Sequence, residues 1–399
     1  MIDLPRDVCL ILSRLHNNGY SADVVGGPVR DFFLGDQPSD YDITTSATPD
    51  EIKAVFADMR TIDTGIQHGT VTVVLNRENY EITTYRIDGE YKDSRHPDSV
   101  TFTSDLNEDL ARRDFTVNAM AYSPLSGISD PFDGRGDIDR RIIRTVGDPV
   151  RRFEEDALRM LRALRFSSKL DFDIEEATRV TIFELWHRLS GVSRERVWVE
   201  LYKLFAGKRA YSVLKEYASL LAELLSLPEI KLPSRELFED VGWYLRLLSV
   251  FALSSTDPAP NFERAMRKLR TDNRTRECGA SVLGMIGENI SGDYGLLKVA
   301  SRIGAENTLL LLRLRAVLGE DTSVRLERFN ALIESGAPYR ISDLNIDGKR
   351  LMELGAKGRA VGELLSSLLD SVMSGKVENT ESALIREAEL ILSNLTRKV

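Results

Sequence analysis

Two cysteines, four histidines, no surplus of basic residues and no long apolar run: what this 399-residue chain lacks narrows its function before any motif is considered. Cys9 and Cys278 lie far apart, form no Cys-x-x-Cys pair and could close one bridge at most. A chain of this length does not need that bridge, which points to a reducing, cytoplasmic setting. His16, His68, His96 and His187 are scattered, so no zinc site built on histidine and cysteine is expected, and any metal must be held by oxygen. The most apolar later stretch, 309–318, is interrupted by Arg313 and Arg315 and is about half the length of a membrane span. Near the start, Val8, Leu10, Ile11, Leu12 and Leu15 are spaced by polar residues, as in an amphipathic helix and not a signal-peptide core. No membrane insertion is expected. Lys plus Arg number 53 against 62 Asp plus Glu, a net charge of -9 that excludes a protein basic all over.

What is present is a foldable chain of two or three domains. The first 125 residues alternate strand-like and helix-like segments. A helix is expected to about Gly19, a strand over 22–25 ending at Gly26-Gly27, and a helix from Pro28 to Phe33 or Leu34, proline suiting the first turn. Residues 40–45 read as a strand, and 49–56 as a helix capped by Thr48. The β-rich runs 70–75 and 80–85, separated by the polar 76–79, form a hairpin with a four-residue connection, both arms pairing with the strand at Asp40. Residues 88–99 are polar, lack either period and read as a mobile loop able to carry function. Beyond about residue 150 strand signals nearly vanish and apolar-periodic segments take over at 153–168, 175–188 and 194–205. The class is α+β: a mixed head on an all-helical remainder.

Three clusters carry chemistry. Gly26-Gly27-Pro28-Val29-Arg30-Asp31 turns into a helix whose free N–H groups and close backbone approach suit phosphate, with Arg30 one turn in. Asp40 and Asp42, two apart on a strand, point their carboxylates to one place, and Glu81 on the second hairpin arm supplies a third. Such carboxylates repel unless a cation joins them. Mg²⁺ takes oxygen ligands and leaves positions for substrate phosphate, the arrangement of metal-assisted phosphoryl transfer. Arg112-Arg113-Asp114 to Asn118 adds adjacent guanidinium forks for phosphate or ribose, against the plainer reading of a solvated charge run. Finally, on a helix over 153–168, Asp156, Arg159, Arg162 and Arg165 recur every three residues as a polar stripe opposite Leu158, Leu161 and Leu164. Ion pairing of Asp156 with Arg159 leaves the other two arginines unexplained. Reading of a base edge by Asp156 and Arg159, with Arg162 and Arg165 aimed at phosphate or ribose, accounts for all four.

GGPVRD at Gly26, DYD at Asp40, RRDFTVN at Arg112, the segment from Asp130 to Asp137 with Ile143-Arg144, and EDALR at Glu155 match motifs in order and spacing. The chain resembles the class II tRNA nucleotidyltransferase and poly(A) polymerase family, and within it the bacterial CCA-adding enzymes. The motif-bearing likeness spans about 20–170, with weaker likeness from Gly348 to Asn379. The resemblance implies a polymerase β-like nucleotidyltransferase head with a small mixed sheet over 1–150, a helical neck with the nucleotide-recognition motif over 151–210, a helical body over 211–320 and a tRNA-binding helical tail over 321–399. It implies Asp40 and Asp42 as ligands of catalytic magnesium, with Glu81 as third carboxylate. Gly27, Arg30 and Arg113 hold the incoming nucleotide's phosphates and sugar, and Asp114 and Asn118 contact the ribose. Glu155 orients Asp156 and Arg159, which template CTP and ATP, while Arg162 and Arg165 complete the pocket. The partner is tRNA.

Alternatives remain open within the sequence. Relatives add CC only, A only, or a poly(A) tail. The 88–99 loop corresponds to the segment shortened in CC-only members, and poly(A) polymerases of the family tend to carry longer basic C-terminal extensions. A retired, RNA-binding member would have damaged carboxylates, yet Asp40, Asp42 and Glu81 are all present. A small-molecule nucleotidylating enzyme would not need the long helical remainder. The tail reads Gly355-Ala356-Lys357-Gly358-Arg359, without the proline that relatives often carry, and no tail contact is assigned. Oligomeric state is not legible.

Overall fold

The computed structural model describes residues 2–89 and 100–396. Helix α1 (Arg6–Asn17) buries Val8, Ile11, Leu12 and Leu15, the three-and-four spacing of one helix face. The fully buried β1 (Ala22–Val25) runs into α2 (Gly27–Leu34) through Gly26, whose φ of 78° suits glycine, and Pro28 occupies the first turn. After β2 (Ile43–Thr45), α3 (Pro49–Val55) begins behind Thr48, whose N–H donates to Glu51 at 2.7 Å. Then come β3 (Arg60–Gly65), β4 (Thr70–Leu75), β5 (Glu78–Thr84), β6 (Arg86–Asp88), β7 (Val100–Phe102), α4 (Leu106–Ala111), β8 (Ala121–Ser123) and β9 (Gly127–Ser129).

Seven strands form one sheet in the order β3-β4-β5-β2-β1-β8-β9, and β6 pairs with β7 separately. Only β2 and β5 run parallel, so the sheet is mixed. Three expectations are corrected. The strand expected over 40–45 begins at Ile43, leaving Asp40 and Asp42 in the extended segment before it. Only β5 pairs with β2, since β1 occupies its other edge; β4 pairs with β3 and β5. The hairpin connection is two residues, Asn76 and Arg77, both at positive φ, and pairing continues to Glu78. The loop expected over 88–99 falls, from residue 90, outside the described residues.

Past the sheet follow α5 (Gly134–Arg140), β10 (Ile142–Ile143), α6 (Pro149–Glu155), α7 (Leu158–Leu170), β11 (Asp173–Ile174), α8 (Glu176–Leu185), α9 (Arg194–Ala206) and α10 (Ala210–Glu216). The single helix expected over 153–168 is two. Asp156 is extended (φ -145°, ψ 103°), and its carboxylate accepts the N–H of Leu158, capping the new start. Helix α7 packs on α9. Ser168 Oγ donates to the Leu204 carbonyl at 2.7 Å, and Arg209 N–H donates to the Ser168 carbonyl at 2.9 Å.

The chain divides into two units, Met1–Glu216 and Tyr217–Val399. The second is helical from Ala218–Leu225 to Glu381–Thr396, with no strand among the described residues. Within it Phe251 and Phe262 meet edge to face at 5.0 Å, and Gly279 lets its helix close on Phe262. Among the described residues no helix is long and apolar enough to cross a membrane.

Candidate active site

The first unit gathers the acidic end of the site around the start of β2. The Asp42 carbonyl accepts the Val25 N–H at 3.0 Å, which pins the acidic segment to β1. Ile43 stands in register with Ile82, so Glu81 lies beside Asp42 across the parallel pair. Burial pushes the Asp42 carboxyl above its ordinary range; Asp40 and Glu81 push it further, and Arg113 opposes them. Mutual repulsion of this kind is what a bound divalent cation relieves, so the donor set fits one. Among the described residues no three acidic, histidine or cysteine side chains are gathered tightly enough to hold a metal by themselves. Two carboxylates leave the remaining positions of such an ion to other oxygens.

Beside the carboxylates, the Gly-Gly turn is roofed by cations. A Cβ on Gly26 would stand 3.3 Å from Arg113 Nη1, and one on Gly27 would stand 3.7 Å from Arg30 Nη2. Arg113 donates to the fully buried Asp109 at 3.3 Å, while its Nε is buried without a hydrogen-bond partner among the described residues. Arg30 donates to Asp31 at 2.6 and 2.8 Å and to Asn118 Oδ1 at 2.6 Å. Asn118 in turn donates to Asp114 at 3.3 Å. Asp114 also receives Arg162 through two bonds of 2.6 and 2.8 Å. Burial alone would raise the Asp114 carboxyl, but the Arg162 guanidinium outweighs it and holds the group at about 2.

Three arginines of this network surround the buried ring of Phe166, at 5.4 Å for Arg30, 5.6 Å for Arg162 and 3.7 Å for Arg165. An aromatic face attracts cations without neutralising them. Glu200, reaching from α9, pairs with Arg165 at 2.6 Å and Arg162 at 3.5 Å. Burial lowers Arg165 to about 10, still charged at neutral pH.

The residues expected to read the base lie at the junction of α6 and α7. Glu155 accepts Arg159 Nη1 at 2.7 Å and pairs with Arg152 at 3.0 Å. Arg159 also donates to the carbonyls of Arg152 and Arg112, both at 3.2 Å. It is thereby fixed, and reading by it depends on an N–H left over from these bonds. Asp156 does not pair with Arg159 as an i,i+3 neighbour, because the helix breaks between them. Its other oxygen accepts Arg196 of α9 at 2.7 Å.

The structure thus draws Asp40, Asp42, Glu81 and Arg113 together, and separately links Gly27, Arg30, Asn118, Asp114, Arg162 and Arg165 into one network. Glu155 and Arg159 form a third group, with Asp156 held beside them from α9. Sequence reasoning missed Asp109, Phe166, Arg196 and Glu200. Asp109 stands three and four residues before Arg112 and Arg113, a spacing that signals its role. Arg196 and Glu200 meet partners about forty residues away, for which the chain offers no local sign.

With this geometry in place, comparison with known proteins identifies the family. The model of the poly A polymerase head domain matches residues 22–144, that of the probable RNA and SrmB-binding site of polymerase A matches 171–231, and tRNA nucleotidyltransferase domain 2 matches 247–388. A CCA-adding enzyme of Lactobacillus delbrueckii subsp. bulgaricus is 40% identical over 94% of this chain and 95% of the relative. One from Enterococcus faecalis is 33% identical over 96% and 95%. The crystal structure of the Bacillus stearothermophilus CCA-adding enzyme in complex with CTP is 33% identical, superimposes with a TM-score of 0.81 and covers 98% of each chain. The chain belongs to the CCA-adding enzymes, and is a tRNA nucleotidyltransferase.

Proposed function

We propose that the chain adds C, C and A in turn to the 3′ end of tRNA, using CTP and ATP, with its own side chains as template. In each step the terminal 3′-hydroxyl oxygen attacks the α-phosphorus, the bond from that phosphorus to the β-phosphate oxygen breaks, and pyrophosphate leaves. The hydroxyl proton passes to solvent water.

Asp40 and Asp42 would hold magnesium together with phosphate oxygens, and Glu81 adds a third negative charge beside them. When bound, the ion lowers the pKa of the attacking hydroxyl and neutralises the leaving oxygens. Arg30, Arg113 and the Gly26-Gly27 backbone hold the phosphates, and the Asp114–Asn118 pair meets the ribose. Selection follows from which atoms can donate. Asp156, kept in place by Arg196, accepts hydrogen bonds, and Arg159 donates. Cytosine and adenine both present an exocyclic amino group where guanine and the uracil-type edge present a carbonyl oxygen. One acceptor-donor pair therefore serves both correct bases. The helical second unit supplies the surface for the rest of the tRNA, and a cytoplasmic setting fits that substrate.

The observation that carries this reading is the gathering of these groups within the first unit. A ribose-facing carboxamide is tied to the cationic cradle by direct hydrogen bonds, with paired carboxylates beside Arg113 at one end and the base-reading Asp156 and Arg159, the latter held by Glu155, at the other. Purified protein incubated with tRNA ending at the discriminator base should extend it by three nucleotides only when CTP and ATP are both supplied. Addition of A alone, and only to tRNA already ending in CC, would overturn the reading. Asp42→Ala should reduce incorporation by a factor of about 10³ or more while circular dichroism stays unchanged.

A further inference from the structure

Helix α7 does not end its line of cations at Arg165. Arg159, Arg162, Arg165 and Lys169 stand at i, i+3, i+6 and i+10 and share one broad helix face. From Arg159 to Lys169 the helix rises about 15 Å, the length of an extended nucleoside triphosphate. If the base lies at Arg159, the far end of the phosphates lies toward Lys169.

At that end the first unit holds a cavity of about 550 Å³, lined by Lys169, Lys208 and Arg141 and by Asp31, Asp36 and Ser39. Its volume is in the range of small-ligand sites. Lys169 and Lys208 make no hydrogen bond or ion pair among the described residues, whereas Arg141 pairs with Asp171 at 3.5 Å. Of the two acids, Asp31 pairs with Arg30 at 2.6 Å, though it and the nearby Asp40 still attract Lys169. Ser39 donates its hydroxyl to Asp40 at 3.0 Å, so the cavity wall continues into the catalytic carboxylates.

The pair of lysines is built and not incidental. Gly207 rests directly on Ser168, and any side chain there would overlap the Ser168 hydroxyl and backbone. Together with the Arg209 to Ser168 backbone bond, this sets Lys208 beside Lys169. Burial and the neighbouring Arg30 both weaken the Lys169 ammonium, consistent with a cation placed where an anion is wanted.

We propose that this cavity is the exit site for the leaving pyrophosphate, with Lys169 and Lys208 as its binding groups; the proposal rests on the nucleotidyl-transfer reading above. After the α-phosphorus bond breaks, the departing diphosphate moves from Arg30 and Arg165 to the two free lysines and leaves the cradle open for the next triphosphate. An enzyme that adds three nucleotides to one substrate must clear this product twice before it finishes. The same phosphate chemistry could come from bound triphosphate or from the RNA backbone, and the measurements separate them.

The test uses full-length protein carrying Lys169→Gln and Lys208→Gln, with magnesium pyrophosphate as the probe. Titration calorimetry should show wild-type binding weakened about tenfold in the double variant, as expected for loss of two charge-assisted contacts. In steady state, the inhibition constant of pyrophosphate should rise by the same factor, while KM for ATP and for tRNA ending in CC stays within about twofold. Lys169→Arg with Lys208→Arg should restore binding. Unchanged pyrophosphate binding overturns the proposal. So does an equal rise in KM for ATP, which would make the site part of the triphosphate cradle, or a rise in KM for tRNA alone, which would assign it to the RNA strand. Absence of tRNA extension by the wild type would sink the transferase reading, whereas the calorimetric result does not depend on turnover.

Discussion

At the scale of single residues, Asp114 does the most with one side chain. Its carboxylate takes two bonds from Arg162, one from Asn118 and one from the Phe115 N–H, and so fixes both the Asn118 carboxamide and a cation of α7. A carboxyl held at about 2, below its ordinary 3.8, binds its proton less readily folded than unfolded. Its contribution is therefore complete above about pH 4 and lost as pH falls toward 2, and linkage over that interval is worth about 2 kcal/mol. Asp114→Asn removes the charge and leaves Arg162 with Glu200 alone. Urea unfolding at pH 7 should show a loss of about 3 kcal/mol, and the gap between variant and wild type should narrow as pH drops from 4 to 2. A gap independent of pH would mean that the carboxylate charge is not what binds Arg162 in place.

At the scale of elements, the break between α6 and α7 sets the position of the proposed base-reading pair. A continuous helix would have tied Asp156 to Arg159. The extended residue frees Asp156 to be held by α9, and selectivity then depends on an element forty residues away. Arg196→Met should relax discrimination of CTP and ATP against UTP about tenfold, with pyrophosphate inhibition unchanged and partial recovery in Arg196→Lys. Equal loss of activity with all nucleotides would instead assign Arg196 to stability. This break was not legible because the three-residue period of arginines runs straight across it. What was legible had strong local punctuation: Gly26-Gly27-Pro28 around α2, Thr48-Pro49 before α3, and the β-branched run of β4. The three-residue strands β8 and β9 carry too few alternations to signal themselves, yet they complete the sheet beside β1. For the site, motif order exposed the residues in line along the chain, and tertiary partners such as Glu200 and Arg196 stayed hidden.

At the scale of the whole molecule, the charge that first argued against a polyanion substrate is unevenly placed. Of the net -9, the unit Met1–Glu216 carries -8 and Tyr217–Val399 only -1. The acidic surplus thus belongs to the unit with Asp40, Asp42 and Glu81, where Arg140 to Arg165 nonetheless contribute eight arginines against four acids. The helical unit has no excess charge with which to hold RNA indiscriminately. Under the proposed function, its hold on tRNA comes from a limited number of placed contacts and from shape. Binding should then fall only moderately with salt. For about four neutralised phosphates, the slope of log K against log salt is near -3 to -4, against much steeper values for basic nucleic-acid proteins. Filter binding of tRNA and of poly(U) between 50 and 200 mM salt measures both quantities. Poly(U) held as tightly as tRNA, or a slope far steeper than this, would mean that a concentrated basic surface dominates, and that recognition by placed contacts is the wrong account of how a net-acidic enzyme selects and releases its RNA.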